Sequence, residues 1–576
     1  MAEFPQKLDN LVIENIQPSV DAGRFAVKRE PGDTVKVTAD IFRHSHEKYD
    51  AAILYRRRGE KRWEKAPMKF VENDSWAGEF IVKSLGYYDY KVIAWTISPK
   101  DEPTESLPFE LRVDPVYSRT GTWYEMWPKS QGSDATKSAT FKDCENRLDY
   151  IRDLGFDTVY LVPIHPIGIT NRKGANNAIH AKTDKKGNPM EPGCPYAVGN
   201  KFGGHYAVDP ELGTMKDFEH FAKMARSKGL RLAFDIALNC SPDHPYAKEH
   251  PEWFYHEPDG SIKFAENPPK KYEDIYPFDY YNKNYKALWK EIRDIILFWA
   301  DKGIEIFRID NPHTKPFPFW EWLVREIKEK RPELVLLAEA FTRPKMMHRL
   351  AKEGFDMSYT YFAWRTEKWE FEEYFKGLVG PAKEYMRGIL FPTTPDIFPK
   401  YLANQGPSAF KQRYFLAGTL SSLTGMYNGY ELCENDPSPV KEELKDSEKY
   451  QYKVHDWNSP VNIKDFVYRV NSAKLDHPAL QEYGNLEFHY ADNSNLMVYS
   501  KKKGEDRILC VANMDMHNVQ EGTIAIDMAK LGLDEDAFFF VKDLITDESY
   551  VWRGSRNFVR LDPDKQPGHL LVVKKL

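Results

Sequence analysis

The sequence predicts an α/β protein, a (β/α)8 TIM barrel with an N-terminal β-sandwich domain and a C-terminal all-β domain. Three observations carry that prediction. From about residue 120, amphipathic segments of helical spacing alternate with short apolar runs. The stretches on either side are short β-branched and aromatic runs separated by turn formers or charges. At 576 residues, the chain is also too long for one compact core.

Residues 1–117 supply the sandwich. "TVKVTADIF", "AAILYRR", "WAGEFIV" and "YYDYKVIAW" are its strand-like runs, parted by Pro31-Gly32-Asp33, Asn73-Asp74 and Ser84-Leu85-Gly86. The acidic "PKDEPTESLP" reads as a loop before its last strand.

Residues 118–484 supply the barrel. "FKDCENRLDYIRDLGF" places Phe141, Leu148, Ile151 and Leu154 at helical spacing, then leads into "TVYLVPI". "MKDFEHFAKMARSKGL" leads to "RLAFDIAL", "YKALWKEIRDIILFWADKG" to "IEIFRID", and "FPFWEWLVREIKEKRP" to "LVLLAEA". Repeated helix–strand units imply parallel strands, and an eight-stranded barrel closes them economically. Two connections, about 163–214 and 239–284, are too long for ordinary loops and belong on the face where sites are built. "LMVYSKK", "RILCVAN", "AFFFVKDLI" and "HLLVVKKL" make residues 485–576 a second β domain.

The balance of 81 basic and 87 acidic residues gives a net charge of −6, which offers nothing to nucleic acid or an anionic membrane. Aromatic content is 14%, a weak hint of sugar platforms that β cores would equally explain. "MAEFPQKLDN" lacks a secretory pattern, and no apolar run is long enough to span a bilayer. Five cysteines without a CxxC pair argue against a disulfide framework and a zinc site. The expectation is a cytoplasmic protein with no metal and no cofactor.

Four strands end in carboxylates: Asp235 in "RLAFDIALN", Asp310 in "EIFRID", Glu339 in "LVLLAEA" and Asp396 in "RGILFPTTPD". Strand C-termini converge on one mouth of a barrel, so these groups can meet despite their separation in sequence. Retaining glycosyl transfer needs such a pair, one carboxylate to attack the anomeric carbon and one carboxylic acid to release the leaving group. Arg308, two residues before Asp310, lies on the same face of its strand and would hold that group ionised. Any single strand-end acid is as readily a helix cap or a solvated group. Four together, one in R-x-D, favour catalysis.

These residues resemble the alpha-amylase superfamily, whose fourth strand carries R-x-D, its fifth the Glu acid/base and its seventh a stabilising Asp; "HYAVDPELGT" resembles its loop before the third strand. Two histidines usual in that superfamily are replaced here by Cys240 and Pro395. "RKGANN", "CSPDHPYAKEHPEWF", "FAENPPKKYEDIYP", "FRIDNPHTKP", "LAEAFTRP" and "DSEKYQYKVHDW" resemble one branch, the alpha-1,4-glucan:maltose-1-phosphate maltosyltransferase family. That resemblance implies transfer of maltosyl units from maltose 1-phosphate to an α-1,4-glucan acceptor. Asp310 would be nucleophile, Glu339 acid/base and Asp396 transition-state stabiliser. Asn267, Lys270 and Tyr272 match the family's phosphate contacts, and Lys173 and Asn177 its donor-sugar contacts; Arg308, Asn239 and Asn311 complete the implied binding set.

Two departures stand out. Asn239 replaces the family's usual Gln, and amylases use an Asn there as a calcium ligand. The helical insertion that contributes to the family's homodimer is missing after "VIAW". Two readings from other classes stay open: a phosphate-independent glucan hydrolase or transglycosylase, and a non-catalytic glucan-binding protein. His205, His244 and His313 read as local hydrogen-bonding groups, "SKKKGED" as a hairpin tip, the aromatics of "WYEMW" as core, and "KEELKDSEKY" as a solvated helix or loop, although its resemblance to the family implies the cleft rim.

Overall fold

Eight parallel strands close on one another at the centre of the molecule: Gly121–Met126, Thr158–Leu161, Arg231–Ile236, Ile306–Ile309, Val335–Ala338, Met357–Ser358, Ile389–Leu390 and Leu423–Tyr427. Each pairs with its neighbour in sequence, and the eighth pairs with the first. A parallel bridge between Ser358 and Gly388 joins the sixth strand to the seventh and shuts the barrel. This computed structural model describes residues 11–44, 47–96, 102–267, 270–439 and 441–576. The side chains of Asn267 and Lys270 lie outside the described residues, as do the N-terminal segment and the start of the "PKDEPTESLP" loop.

The barrel interior is packed solid by inward side chains such as Trp123, Tyr160, Ile306, Leu337, Met357 and Phe391. Gly425 makes room for one of them, since a Cβ there would fall 2.1 Å from the Phe391 ring. Phe391 then stacks on Tyr359, centroids 5.0 Å apart, and the Tyr359 ring lies 6.0 Å from the Arg308 guanidinium. Outer helices start where their caps dictate: Thr214 and Asp217 form a capping box at the head of Met215–Ser227. The first crossover is two short helices, Phe141–Glu145 and Leu148–Asp153, separated at Asn146, a residue that competes with helical bonding. Phe141, Leu148, Ile151 and Leu154 still face inward and are buried.

The N-terminal strands form one continuous nine-stranded sheet folded into two layers. Strand Glu64–Glu72 makes the fold. Its first residues, up to Pro67, pair with Tyr49–Arg57, and those from Met68 pair with Ser75–Ile81. Alternate residues of Thr34–Arg43 (Val35, Val37, Ala39, Ile41) fill the core between the layers. In the C-terminal domain, Leu496–Lys503 is buried on both faces. Leu496 and Val498 enter that domain's own core, while Met497 and Tyr499 pack on the barrel helices. Helix Pro407–Leu420, held between barrel and C-terminal domain, is consequently buried on nearly all sides.

The sandwich is fastened under the barrel base by buried charges. Arg112, on strand Phe109–Val113, pairs with Asp114 at 2.7 Å and with Asp356, just before the sixth barrel strand, at 2.6 Å. Lys328 reaches Asp356 at 2.8 Å, and Asp356 also accepts the Leu336 N–H at 2.7 Å. Removing one member of such a network leaves the others charged and unpaired in a dry interior. Arg112→Met should therefore destabilise the fold by about 3–5 kcal/mol, read as a lowered urea midpoint.

Candidate active site

The fourth strand delivers the site's central group. Arg308 and Asp235 are directly paired in the parallel register of the third and fourth strands, so both point into the barrel. Arg308 Nη1 lies 2.9 Å from Asp235 Oδ1 and 2.9 Å from Asp310 Oδ1, and its Nη2 lies 3.7 Å from Glu339 Oε2. Asp235 is fully buried, and the hydroxyls of Tyr160 and Tyr196 donate to its other oxygen at 2.9 and 2.8 Å. It thus sits a layer below the cavity, anchoring Arg308, and is not a fourth acid at the mouth.

Past the strand the chain turns sharply. Asn311 takes a left-handed conformation (φ 45°), which asparagine tolerates better than most residues. That turn aims its backbone N–H at Glu339 Oε2, 3.0 Å away, and its side-chain amide at Asp310 Oδ2, 3.2 Å away. Buried Lys315 clamps the turn by donating to the carbonyls of Asp310 and Asn311 at 3.1 and 3.0 Å. Trp320 Nε1 donates to Pro312 O at 2.8 Å.

The electrostatics separate the carboxyl groups. Burial pushes Glu339 up to about 7, helped by the negative charges of Asp310 and Asp396 and opposed by Arg308 and the Asn311 N–H. Burial likewise lifts Asp235 to about 6 against the pull of Arg308. Burial also works to raise Asp396, but its ion pair with Lys449, aided by Arg308, outweighs that and holds it below the ordinary range. Asp396 lies beyond the end of its strand, in the loop that follows Leu390. One proton-holding carboxylic acid beside carboxylates of other environments is the arrangement that acid/base catalysis needs.

A cavity of about 670 Å³ opens over these groups. Its walls include Asp310, Asn311, Glu339 and Asp396 from the strand ends, Lys173, Asn177 and Tyr196 from one long connection, and Asn239 and Tyr272 from the other. The backbone of Ala265–Asn267 pairs antiparallel with Lys270–Tyr272, and Ala265, Glu266 and Tyr272 line the cavity. Arg308 lies beneath the cavity wall and holds the acids from below. The structure thereby brings together all the expected site residues whose side chains are described.

Lys449, Tyr450 and Lys315 also line the cavity, and sequence reasoning passed them over. The first two lie in "KEELKDSEKY", whose first residues stay solvated while its last four, Ser447 to Tyr450, turn inward. Glu448 is buried, hydrogen-bonded by Tyr427 and by Asn428 Nδ2 at 2.6 Å. His455 pairs with Glu434 at 2.5 Å and Glu448 at 3.3 Å, fixing the loop. A lysine next to an aromatic and flanked by acids was the available signal, but nothing local says that the segment folds inward.

A larger cavity, about 710 Å³, lies between the sandwich and the barrel base, and several of its charged groups pair with one another (Arg29 with Glu384 at 2.7 Å, Arg119 with Asp33 at 2.9 Å). His205, Cys240 and His244 approach within 4.8 Å of one another. Their hydrogen bonds leave no imidazole lone pair for a metal. The Tyr246 N–H donates to His244 Nδ1 at 3.0 Å, which places the His244 proton on Nε2, 3.1 Å from His205 Nδ1. His205 Nε2 then donates to the Ala237 carbonyl at 2.8 Å. Burial holds His205 down at about 4, in keeping with that neutral chain. His313 lies on the cavity wall with a buried, unpartnered Nδ1.

Known proteins match along the whole chain. Residues 9–98 match the domain described as "Alpha-1,4-glucan:maltose-1-phosphate maltosyltransferase, domain N/S", residues 488–573 that described as "GLGE, C-terminal", and residues 126–362 the alpha amylase catalytic domain. An alpha-1,4-glucan:maltose-1-phosphate maltosyltransferase of Myxococcus xanthus is 41% identical over 658 aligned residues, covering 99% of this chain and 98% of the relative. One from Picrophilus torridus is 39% identical, covering 98% of this chain and all of the relative. The first alignment is longer than this chain, so that relative carries segments missing here. Among solved structures, a maltogenic alpha-amylase from Thermotoga neapolitana superposes with a TM-score of 0.61 at 20% identity, over 79% of this chain and 98% of that one, which speaks to the fold alone. By near-complete alignment at this level of identity, the chain belongs to the alpha-1,4-glucan:maltose-1-phosphate maltosyltransferase family, within the alpha-amylase superfamily.

Proposed function

We propose that this enzyme transfers a maltosyl unit from α-maltose 1-phosphate to the non-reducing end of an α-1,4-glucan, releasing phosphate. The observation that carries the reading is the cluster in which Arg308 faces Asp310 and Glu339 beneath a cavity edged by Lys173, Lys315 and Lys449. Those lysines supply the cationic surroundings that a phosphorylated sugar requires.

Asp310 attacks the anomeric carbon of the donor. The bond from that carbon to the phosphate oxygen breaks, its electron pair leaving with phosphate, and Glu339 supplies a proton to the departing oxygen. The acceptor's 4-hydroxyl then attacks the glycosyl–Asp310 carbon while Glu339, now a carboxylate, takes the hydroxyl proton and Asp310 is released. Two inversions give net retention. Asp396, with Lys449 against it, sits to stabilise positive charge developing on the sugar. Lys173, Asn177 and Asn239 bind the donor sugar, Asn267, Lys270 and Tyr272 the phosphate, and Asn311 and Arg308 position the acids. We assign residues 1–117 to the sandwich, 118–484 to the catalytic barrel and 485–576 to the C-terminal domain. We place the enzyme in the cytoplasm, where its five free cysteines would stay reduced. A homodimer, if formed, must use a surface other than the missing insertion.

Mixing the protein with maltose 1-phosphate and a maltooligosaccharide should release phosphate as products grow by two hexoses; oligosaccharides shuffled without phosphate release would overturn the reading. Asp310→Asn should lower kcat by on the order of 10⁴-fold or more in that assay. Lys270→Ala should damage turnover of the phosphate donor far more than any residual hydrolysis of glucans, measured side by side. Glu339 is protonated below about 7, so kcat/KM for the donor should fall as pH rises through that value. Glu339→Gln should abolish this alkaline limb and cost about 10²–10⁴-fold in rate.

A further inference from the structure

Two loops that wall the catalytic cavity also meet each other outside it. Lys173 and Asn177 line the cavity from one long connection, and Lys449 and Tyr450 line it from the segment after the eighth barrel strand. Beside them, Asn176 and Asp446 exchange two hydrogen bonds across a sequence separation of 270 residues. The Asn176 side-chain amide donates to Asp446 Oδ1 at 2.8 Å, and the Asp446 backbone N–H donates to Asn176 Oδ1 at 2.9 Å. Asn176, Asn177 and Asp446 all take left-handed conformations, with φ of 54°, 64° and 50°. Few side chains tolerate that backbone, and Asn and Asp are the types that do, so the meeting point is built from residues able to hold it.

Each loop is held firmly at its root. Arg172 donates to the carbonyls of Gly168, Ile167 and Glu191 at 2.7, 2.9 and 3.2 Å, and the Asn171 side chain donates to the Glu273 carbonyl at 3.1 Å. On the other side Gln451 Nε2 donates to the Asp446 carbonyl at 3.0 Å, behind the buried Glu448. The tips themselves are open, Asn176 being exposed and the Asp446 side chain about half exposed. The contacts form a closed hoop. Asp396 pairs with Lys449, the chain runs back to Asp446, the two hydrogen bonds cross to Asn176, and Asn177 returns to the cavity wall.

We propose that Asn176 and Asp446 are specificity-determining residues, whose hydrogen-bonded pair shuts the sugar end of the cavity so that a donor of two sugars fits and a longer one is refused. The proposal rests on the maltosyl-transfer reading. That reading gives the phosphate to Asn267, Lys270 and Tyr272 and the reacting carbon to Asp310, which leaves the loops of Lys173 and Lys449 to the donor's other end. A site selects against a longer ligand by raising an obstacle where the extra unit would go, as well as by contacts to the shorter one. The paired tips are such an obstacle. Neither side chain touches the reacting atoms, and both act by holding the two loops together.

The test measures phosphate release from maltose 1-phosphate and from maltotriose 1-phosphate, with maltotetraose as acceptor. Three proteins are compared. Wild type is set beside Asn176→Asp, which puts two carboxylates face to face, and beside Asn176→Asp with Asp446→Asn, which restores an amide and a carboxylate in exchanged places. Wild type should favour the shorter donor in kcat/KM, Asn176→Asp should narrow that preference about tenfold, and the double variant should recover it. Equal use of both donors by wild type would overturn the proposal. So would an unchanged preference in Asn176→Asp, equal losses on both donors (the mark of a merely structural pair), or a double variant that recovers nothing. Calorimetry of the two sugar phosphates, with Asp310→Asn added to each protein, repeats the comparison by binding alone. If wild type releases no phosphate from either donor, the transfer reading fails, and calorimetry still decides whether the pair discriminates by length.

Discussion

One buried guanidinium faces three carboxyl groups at the centre of the barrel, and the site is organised around that imbalance. Arg308 cannot lose its proton, so its neighbours must compensate it in a medium that disfavours every charge. Asp235 does so from below, tied by two tyrosine hydroxyls, and Asp310 from above. Negative charge in the cluster then exceeds positive, and Glu339, the member farthest from Arg308, is the one that keeps its proton to about 7. Burial raises Glu339 first of all, and its 3.7 Å separation leaves Arg308 too far away to offset that.

The same principle recurs at the other end of the barrel with the opposite use. At the base, Arg112, Lys328, Asp114 and Asp356 are fully paired and buried, and they fasten the sandwich to the barrel. Such a network rewards completeness and punishes loss of a member. At the mouth, charges are left in unequal number and partly open to a cavity, and there the imbalance makes proton transfer available. Polar groups that stabilise and polar groups that react differ in how completely they are satisfied.

Much of this was legible before any coordinates. The alternation of helical and strand periods identified the barrel, and R-x-D two residues apart on one strand face put Arg308 against Asp310. The strand-end position of Glu339 followed from the same topology, whereas Asp396 lies in the loop past its strand. What escaped was carried by segments without periodicity. "KEELKDSEKY" is charged throughout, and only the buried anchors Glu448 and His455 turn Lys449 towards Asp396. Asp235 looked like a fourth acid of the mouth because it too lies near the end of its strand. Its register opposite Arg308 places it a layer down instead.

The sequence by itself determined the fold class, the order of domains and which acids gather at the barrel mouth, because periodicity and strand-end placement are local properties that topology converts into position. The tertiary structure decided which carboxyl group keeps a proton to about 7 and which lysine faces which acid. Those depend on burial and on distances between residues hundreds of positions apart. No local pattern encodes them, because they exist only once the chain has closed on itself.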